Sequence, residues 1–148
     1  CTPSFTVIAN DKMRKAFQVE NSRLTVNKNN AFANAAVTAA YREGEDWLNA
    51  AIQYVEGTLG FVRDRLAALP DIGLIEPEGT FLLWLDFRAL GLPAQDLNTF
   101  LRKKAGWAVT RGLAFGDQGA GFARLNIACQ RARLAAAMGQ LEDAVINL

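Results

Sequence analysis

The clearest pattern along the chain is the apolar series Leu48, Ile52, Val55, Leu59, Val62, Leu66 and Leu69. Its steps alternate between four and three residues, which places all seven on one stripe of an α-helix. The stripe predicts a helix of about 23 residues and ~35 Å over Asp46–Leu69, stopped by Pro70. Gly57 and Gly60 fall inside it, each costing about 1 kcal/mol against alanine, so a local bend is expected there. Such a stripe is read as core, not as a site.

Upstream, Ser4–Ile8 (SFTVI) is β-prone and short. Asn10 or Asp11 can cap a helix running through Phe17. A second helix is expected over Asn30–Arg42, where Ala31, Ala33, Ala35, Ala36, Ala39 and Ala40 offer a smooth surface for close packing, and Gly44 ends it. Beyond Pro70 the period shortens. Ile72–Ile75 and Phe81–Phe87 read as strands joined through a turn at Pro77-Glu78-Gly79. The second of these is apolar on both faces and is expected at the centre of the sheet. Leu92-Pro93 opens another helix that turns Leu97, Phe100, Leu101 and Ala105 inward and ends at Gly106. Trp107–Thr110 and Phe122–Cys129 read as strands separated by a loop at Gly112–Gly121. Leu134, Met138, Leu141, Val145 and Leu148 mark a last amphipathic helix. The expected fold is α+β, a small mixed sheet flanked by helices in two layers, with residues 1–148 forming a single domain.

Composition narrows the function classes. The chain has 148 residues, 51% of them hydrophobic, enough for one real core. Its 16 basic and 15 acidic residues leave a net charge of +1 and no electrostatic footprint for nucleic acid or an anionic membrane. No apolar run approaches the ~18 residues of a membrane span. Cys1-Thr2-Pro3 has neither the basic nor the apolar region of a signal peptide. Cys1 and Cys129 do not make a disulfide framework, so a reducing, cytoplasmic location is expected. There is no histidine. Ser-His-Asp and Cys-His mechanisms and His-based zinc sites are thereby excluded, and no metal site is expected.

The glycine-rich stretch Gly112–Gly121 invites a phosphate-cradle reading, which fails because a strand rather than a helix N-terminus follows it. It is read as a flexible connection that could still close over a ligand. In the strand after it, alternation sends Leu125, Ile127 and Cys129 to one face and Phe122, Arg124, Asn126 and Ala128 to the other. A buried guanidinium without a partner is costly, and its planar fork suits a carboxylate. Either an internal Asp or Glu supplies that carboxylate or a ligand does; spacing alone favours the internal pair. Asp86 and Arg88 are read as polar strand-end residues. Lys12, Lys15 and Lys28 sit among polar neighbours. Trp47, Trp84 and Trp107 are expected in packing, Tyr41 and Tyr54 at helix boundaries, and Cys129 as an inert buried thiol.

Three blocks, "AAYREGEDWLNAAIQYVEGTLGFVRDRL", "PEGTFLLWLDFRALGL" and "GDQGAGFARLNIACQR", together resemble the C-terminal portion of fold-type I pyridoxal phosphate-dependent aminotransferases. The nearest branch is the cystathionine β-lyase-like C–S lyases of the MalY/PatB type. The resemblance spans Phe5–Leu148 and keeps the family's order of blocks. It implies that Arg124 binds the α-carboxylate of an amino-acid substrate, with Asn126 on the same face in support. It also implies pyridoxal 5′-phosphate as the cofactor of the full-length family, serving as the electron sink. The family's Schiff-base lysine lies in a Ser-Lys-x-Phe-type motif just upstream of the segment like Ser4–Ile8. Cys1-Thr2-Pro3-Ser4-Phe5 holds no lysine, and the large domain that carries the family's phosphate loop would precede residue 1. Gln130 stands where the family has proline. The resemblance therefore implies a small domain that has no catalytic residue of its own, binds no cofactor alone, and either joins a missing large domain or self-associates as a homo-oligomer. A non-enzymatic carboxylate-binding module and one part of a split enzyme remain alternatives.

Overall fold

A computed structural model of the chain describes residues 4–26 and 30–148; Lys28 and the Cys1–Pro3 segment lie outside the described residues. The chain forms two compact units, residues 1–50 and 51–148.

The first unit is helical. Helix α1 spans Asp11–Arg23 and α2 spans Ala31–Glu43. Both start in the same way, with an asparagine side chain satisfying an orphan amide. Asn10 Oδ1 accepts from Met13 N at 3.0 Å and Asn30 Oδ1 from Ala33 N at 2.7 Å. Asp11 in the first turn of α1 and Arg23 in its last complement the helix dipole. Ser4–Ile8, expected as a strand, forms none and pairs with no strand among the described residues. Strand propensity is not enough without a partner edge. Helix α3 begins at Glu45, directly after Gly44. A Cβ on Gly44 would collide with the Ala40 carbonyl oxygen, so glycine is what allows α3 to follow α2 so closely.

Helix α3 continues unbroken to Leu66, through Gly57 and Gly60. In the second unit its stripe behaves as expected toward the C-terminal end, where Val62, Leu66 and Leu69 are buried. Leu48 and Ile52, at the other end of the same stripe, are exposed. Trp47 is exposed as well.

The sheet comprises β1 (Gly73–Ile75), β2 (Leu82–Asp86), β3 (Thr110–Arg111) and β4 (Phe122–Asn126) in the order β1-β2-β4-β3. Every neighbouring pair is antiparallel, where a mixed sheet was expected. The reason lies in the crossover. Strands β2 and β3, joined through α4 (Ala94–Lys103), do run parallel to each other, since both are antiparallel to β4. But β4 inserts between them, so the parallel pair implied by a strand–helix–strand sequence is split.

One face of this sheet carries the core. Leu83, Leu85, Ala123, Leu125 and Ile127 point into a cluster with Val62 and Leu66 of α3, Leu97, Phe100 and Leu101 of α4, and Leu134, Met138 and Leu141 of α5 (Arg131–Ile146). Leu83, Leu85 and Ile127 are wholly buried, each contributing roughly 1.5–3 kcal/mol. Helix α4 ends as its sequence predicts: Gly106 has φ +67° and Trp107 N bonds back to the Leu101 carbonyl at 2.7 Å. Trp107 then buries its ring and donates from Nε1 to the Ala137 carbonyl at 2.8 Å, tying the β3 approach to α5. The stretch 112–121 is not a simple loop. It folds into two 3-10 turns, Gly112–Phe115 and Asp117–Gly119.

Candidate functional site

The other face of the sheet is open. Alternation along β4 turns Phe122, Arg124 and Asn126 to it, while the register sets Trp84 opposite Arg124 and Thr110 on Arg124's other side. Five side chains there form a continuous series. The Arg88 guanidinium lies over the Phe122 ring at 4.7 Å, and Phe122 stacks on Trp84 at 5.6 Å with 14° between the planes. Trp84 meets Phe115 edge-on at 5.4 Å, and Phe115 presents its face to the Arg124 guanidinium at 5.0 Å. Such contacts hold both guanidinium groups in place without consuming their hydrogen-bonding edges.

The two arginines differ in what satisfies them. Arg88 closes on Asp86: Nε lies 2.9 Å from Oδ1 and Nη2 lies 2.7 Å from Oδ2, and Arg88 N donates to Oδ1 at 3.0 Å. These bonds hold the Asp86 carboxyl below the usual carboxylate range despite its partial burial, and they raise the Arg88 guanidinium. This is a local strand-end ion pair, as the sequence suggested. Arg124 is half-buried, and among the described residues its side chain makes one hydrogen bond, from Nη2 to Thr110 Oγ1 at 3.3 Å. No ion pair among the described residues includes it. The internal Asp or Glu that spacing alone favoured is not there.

Arg124 lines a cleft of about 440 Å³ together with Thr110, Asn126, Cys129 and Arg133. Asn126 Oδ1 accepts from Ala128 N at 2.9 Å, an Asx turn that leaves the amide nitrogen of its side chain uncommitted by that bond. Cys129 is half-buried rather than enclosed. Among the described residues no lysine and no acidic residue lines the cleft.

A cluster at the end of β4 escaped the sequence reading. Tyr54 Oη donates to the Cys129 carbonyl at 2.8 Å and accepts from Arg131 N at 2.9 Å, bracketing the turn from β4 into α5. The Arg131 side chain packs over the rings of Phe61, at 5.4 Å, and Tyr54, at 5.9 Å, and Nη2 donates to Thr58 Oγ1 at 3.1 Å. Its Nε is buried without a hydrogen-bond partner. Two signals pointed to this spot. Thr58 is a polar residue inside the α3 core segment and fully buried, and Gly57 opens the space into which Arg131 Nη2 reaches, 3.5 Å from where a Cβ would be. The cluster fixes the carboxyl end of β4, and with it the positions of Arg124 and Asn126.

This α+β unit is the form the chain shares with a large enzyme family. Residues 5–141 match the family model for aminotransferase class I and II, and the chain belongs to that family. It is 33% identical to cystathionine beta-lyase PatB of Bacillus subtilis over 141 residues, covering 94% of this chain and 36% of that protein. Against protein MalY of Escherichia coli the identity is 31% over 146 residues, covering 97% of this chain and 37% of that protein. The structure of cystalysin from Treponema denticola, which contains a pyridoxal 5′-phosphate cofactor, superposes with a TM-score of 0.85 at 28% identity, over 95% of this chain and 36% of that one. The chain thus spans a little over a third of the length of the curated relatives it matches.

The residues around the Arg124 cleft do not by themselves fit pyridoxal phosphate. Its attachment needs a lysine amine, and none among the described residues lines the cleft. Its phosphate needs a cradle of backbone amides leading into a helix. The glycine-rich stretch instead leads through a 3-10 turn into β4.

Proposed function

We propose that this chain is the carboxylate-recognition portion of a pyridoxal phosphate-dependent aminotransferase or C–S lyase acting on amino acids, and that it does not complete the reaction alone. The observation that carries this reading is the Arg124 guanidinium, held by Phe115 and Thr110, free of any ion pair among the described residues, and open to a cleft. An arginine held in this way accepts a carboxylate through its N–H edge. Asn126, beside it on the same face, supports the bound group from the side-chain amide. The lysine and the phosphate site belong, in this reading, to the two thirds of the relatives' length that this chain does not span. A reducing, cytoplasmic setting goes with it, Cys129 being a free thiol.

One arginine at a partly open site contributes about 1 kcal/mol, against ~8 kcal/mol for micromolar binding. The 148-residue chain is therefore expected to bind short carboxylates only weakly, with dissociation constants of roughly 0.1 M or above, to be colourless, and to show no β-lyase or transaminase turnover with added pyridoxal phosphate. Titration with acetate, followed by amide chemical shifts, tests the site: shifts should centre on Arg124, Thr110 and Asn126 and disappear in Arg124→Gln. A saturable absorbance band of a protonated aldimine, accompanied by turnover of an amino acid, would overturn the reading. It would assign the amine to Lys12, Lys15 or Lys28.

A further inference from the structure

The Asp86–Arg88 pair at the end of β2 fixes a side chain that would otherwise move. An exposed arginine ordinarily samples many rotamers, and ordering it costs entropy. Here the guanidinium is held by Asp86, with Nε 2.9 Å from Oδ1 and Nη2 2.7 Å from Oδ2. The stem is held as well, because it lies over Gly121: a Cβ there would sit 2.5 Å from Arg88 Cγ. Gly121 has φ +80°, and its carbonyl accepts from Phe87 N at 2.9 Å, which ties the entry to β4 to the end of β2. Arg88 thus packs on the residue before Phe122 and also over the Phe122 ring, 4.7 Å from its centroid.

From Phe122 the contacts run without a gap to Arg124. The Phe122 and Trp84 planes are 14° apart with centroids at 5.6 Å. Trp84 and Phe115 meet at 82° and 5.4 Å, and Phe115 lies 5.0 Å from the Arg124 guanidinium carbon. Each such contact has a preferred relative orientation, so a tilt of one ring changes the best position of the next. Phe115 is 55% exposed, and among the described residues its ring contacts are Trp84 and Arg124. Its orientation therefore depends on the Trp84 plane, and that plane on Phe122. The register sets Asp86 opposite Phe122 and Trp84 opposite Arg124, so the pair is offset from Arg124 by two residues, about 7 Å. Neither Asp86 nor Arg88 lines the Arg124 cleft.

We infer that Asp86 and Arg88 are positioning residues for the Arg124 carboxylate site: Asp86 fixes the Arg88 guanidinium, and Phe122, Trp84 and Phe115 carry that constraint to Arg124. The inference rests on the Arg124 reading, since it says what Arg124 is oriented for. The pair is neutral as a unit, so it acts through orientation and not through its field. Coupling carried by a packed series of this kind changes affinity by about two- to threefold at its lower end.

The test compares the native 148-residue chain with the double variant Asp86→Asn/Arg88→Gln, which removes the pair without changing the net charge. Two quantities are read at fixed ionic strength: acetate affinity from amide chemical shifts, and the Arg124 Nε–H resonance, which lies in the ring current of Phe115. Arg124→Gln identifies that resonance and should abolish acetate binding. The double variant should weaken acetate binding about two- to threefold and move the Arg124 resonance. In a Trp84→Leu background, which cuts the series midway, the same two substitutions should have no further effect on either quantity. Arg88→Lys keeps the charge but not the two-pronged contact, and should move the resonance in the same direction by less, a readout that remains if the double variant does not fold. A folded double variant with native affinity and a native Arg124 resonance would overturn the inference and leave the Arg124 reading standing. A change in only one of the two quantities, or an effect that persists in full without Trp84, would overturn it as well. Acetate binding indifferent to Arg124→Gln, or no acetate binding at all, would remove the Arg124 reading and the inference with it.

Discussion

The Phe115 ring covers one face of the Arg124 guanidinium, centroid to carbon 5.0 Å. Phe115 comes from the 3-10 turn Gly112–Phe115, so a short segment that looks like a connection in sequence sets the orientation of the candidate ligand-binding arginine. The ring blocks approach over that face and leaves the in-plane N–H groups, where a carboxylate bonds, accessible.

Replacing Phe115 by leucine removes the cation–π contact and the edge-on contact with Trp84. A loss of about 0.5–2 kcal/mol in urea unfolding is expected. Acetate binding should weaken but persist, because the guanidinium remains and only its positioning is lost. Complete loss of acetate binding in a folded Phe115→Leu protein would contradict this division of roles.

The Asp86–Arg88 pair gives a pH signature. Hydrogen bonds from Arg88 lower the Asp86 carboxyl in the folded protein. A group whose folded pKa is depressed stabilises above its unfolded value, near ~3.9 for aspartate, and that contribution is lost as pH falls through the folded value. Asp86→Asn should therefore be less stable than the native chain at pH 7, with the difference shrinking below about pH 4. Stability curves of the two proteins from pH 7 to acid should converge, and a constant gap would count against the assignment.

Gly112 and Gly119 pack backbone against backbone. A Cβ on Gly112 would meet the Gly119 carbonyl and lie 2.7 Å from the Phe122 carbonyl oxygen. No side chain can rotate away to relieve this. Gly112→Ala should cost about 2 kcal/mol or more, read by thermal unfolding, with chemical-shift changes reaching Phe115 and Phe122.

Tyr54→Phe deletes the hydroxyl that bridges the Cys129 carbonyl and Arg131 N. Each lost bond is worth roughly 0.5–1.5 kcal/mol, so about 1–3 kcal/mol in all is expected from denaturant unfolding. Since the bridge holds the end of β4, amide exchange at residues 126–131 should quicken while that of α4 stays unchanged.

The first unit leaves much apolar surface uncovered. Phe5, Val7, Phe32, Tyr41 and Trp47 are all more than two-thirds exposed, at 70%, 87%, 81%, 76% and 75%. Faces of this kind are ordinarily covered by a partner. The isolated chain should self-associate with rising concentration in light scattering, and Phe32→Glu should reduce that association. A strict monomer at high concentration would argue against it.

How much of this was legible in the chain depends on the range of the interactions involved. The helices were, because their signals are local. The four–three stripe, Asn10 as a cap, Pro93 and Gly106 around α4, and Leu134, Met138 and Leu141 along α5 each act within a turn or two. The strand positions and the face carrying Arg124 and Asn126 followed from a period of two, which is likewise local. Three blocks of residues also sufficed to place the family.

Only the tertiary structure decided what surrounds Arg124. An arginine in a strand has the same local pattern whether an internal carboxylate awaits it or not, and its neighbours Thr110 and Trp84 come from strands 14 and 40 residues away. The insertion of β4 between β2 and β3 turned an expected mixed sheet antiparallel, through pairing free energies that no single segment carries. The same holds for Ser4–Ile8, whose β-prone residues have no strand to pair with among the described residues. It holds too for Leu48 and Ile52, which share the α3 stripe with buried Val62 but lie exposed. Periodicity says which side chains share a face; only the packing of distant segments says what that face meets.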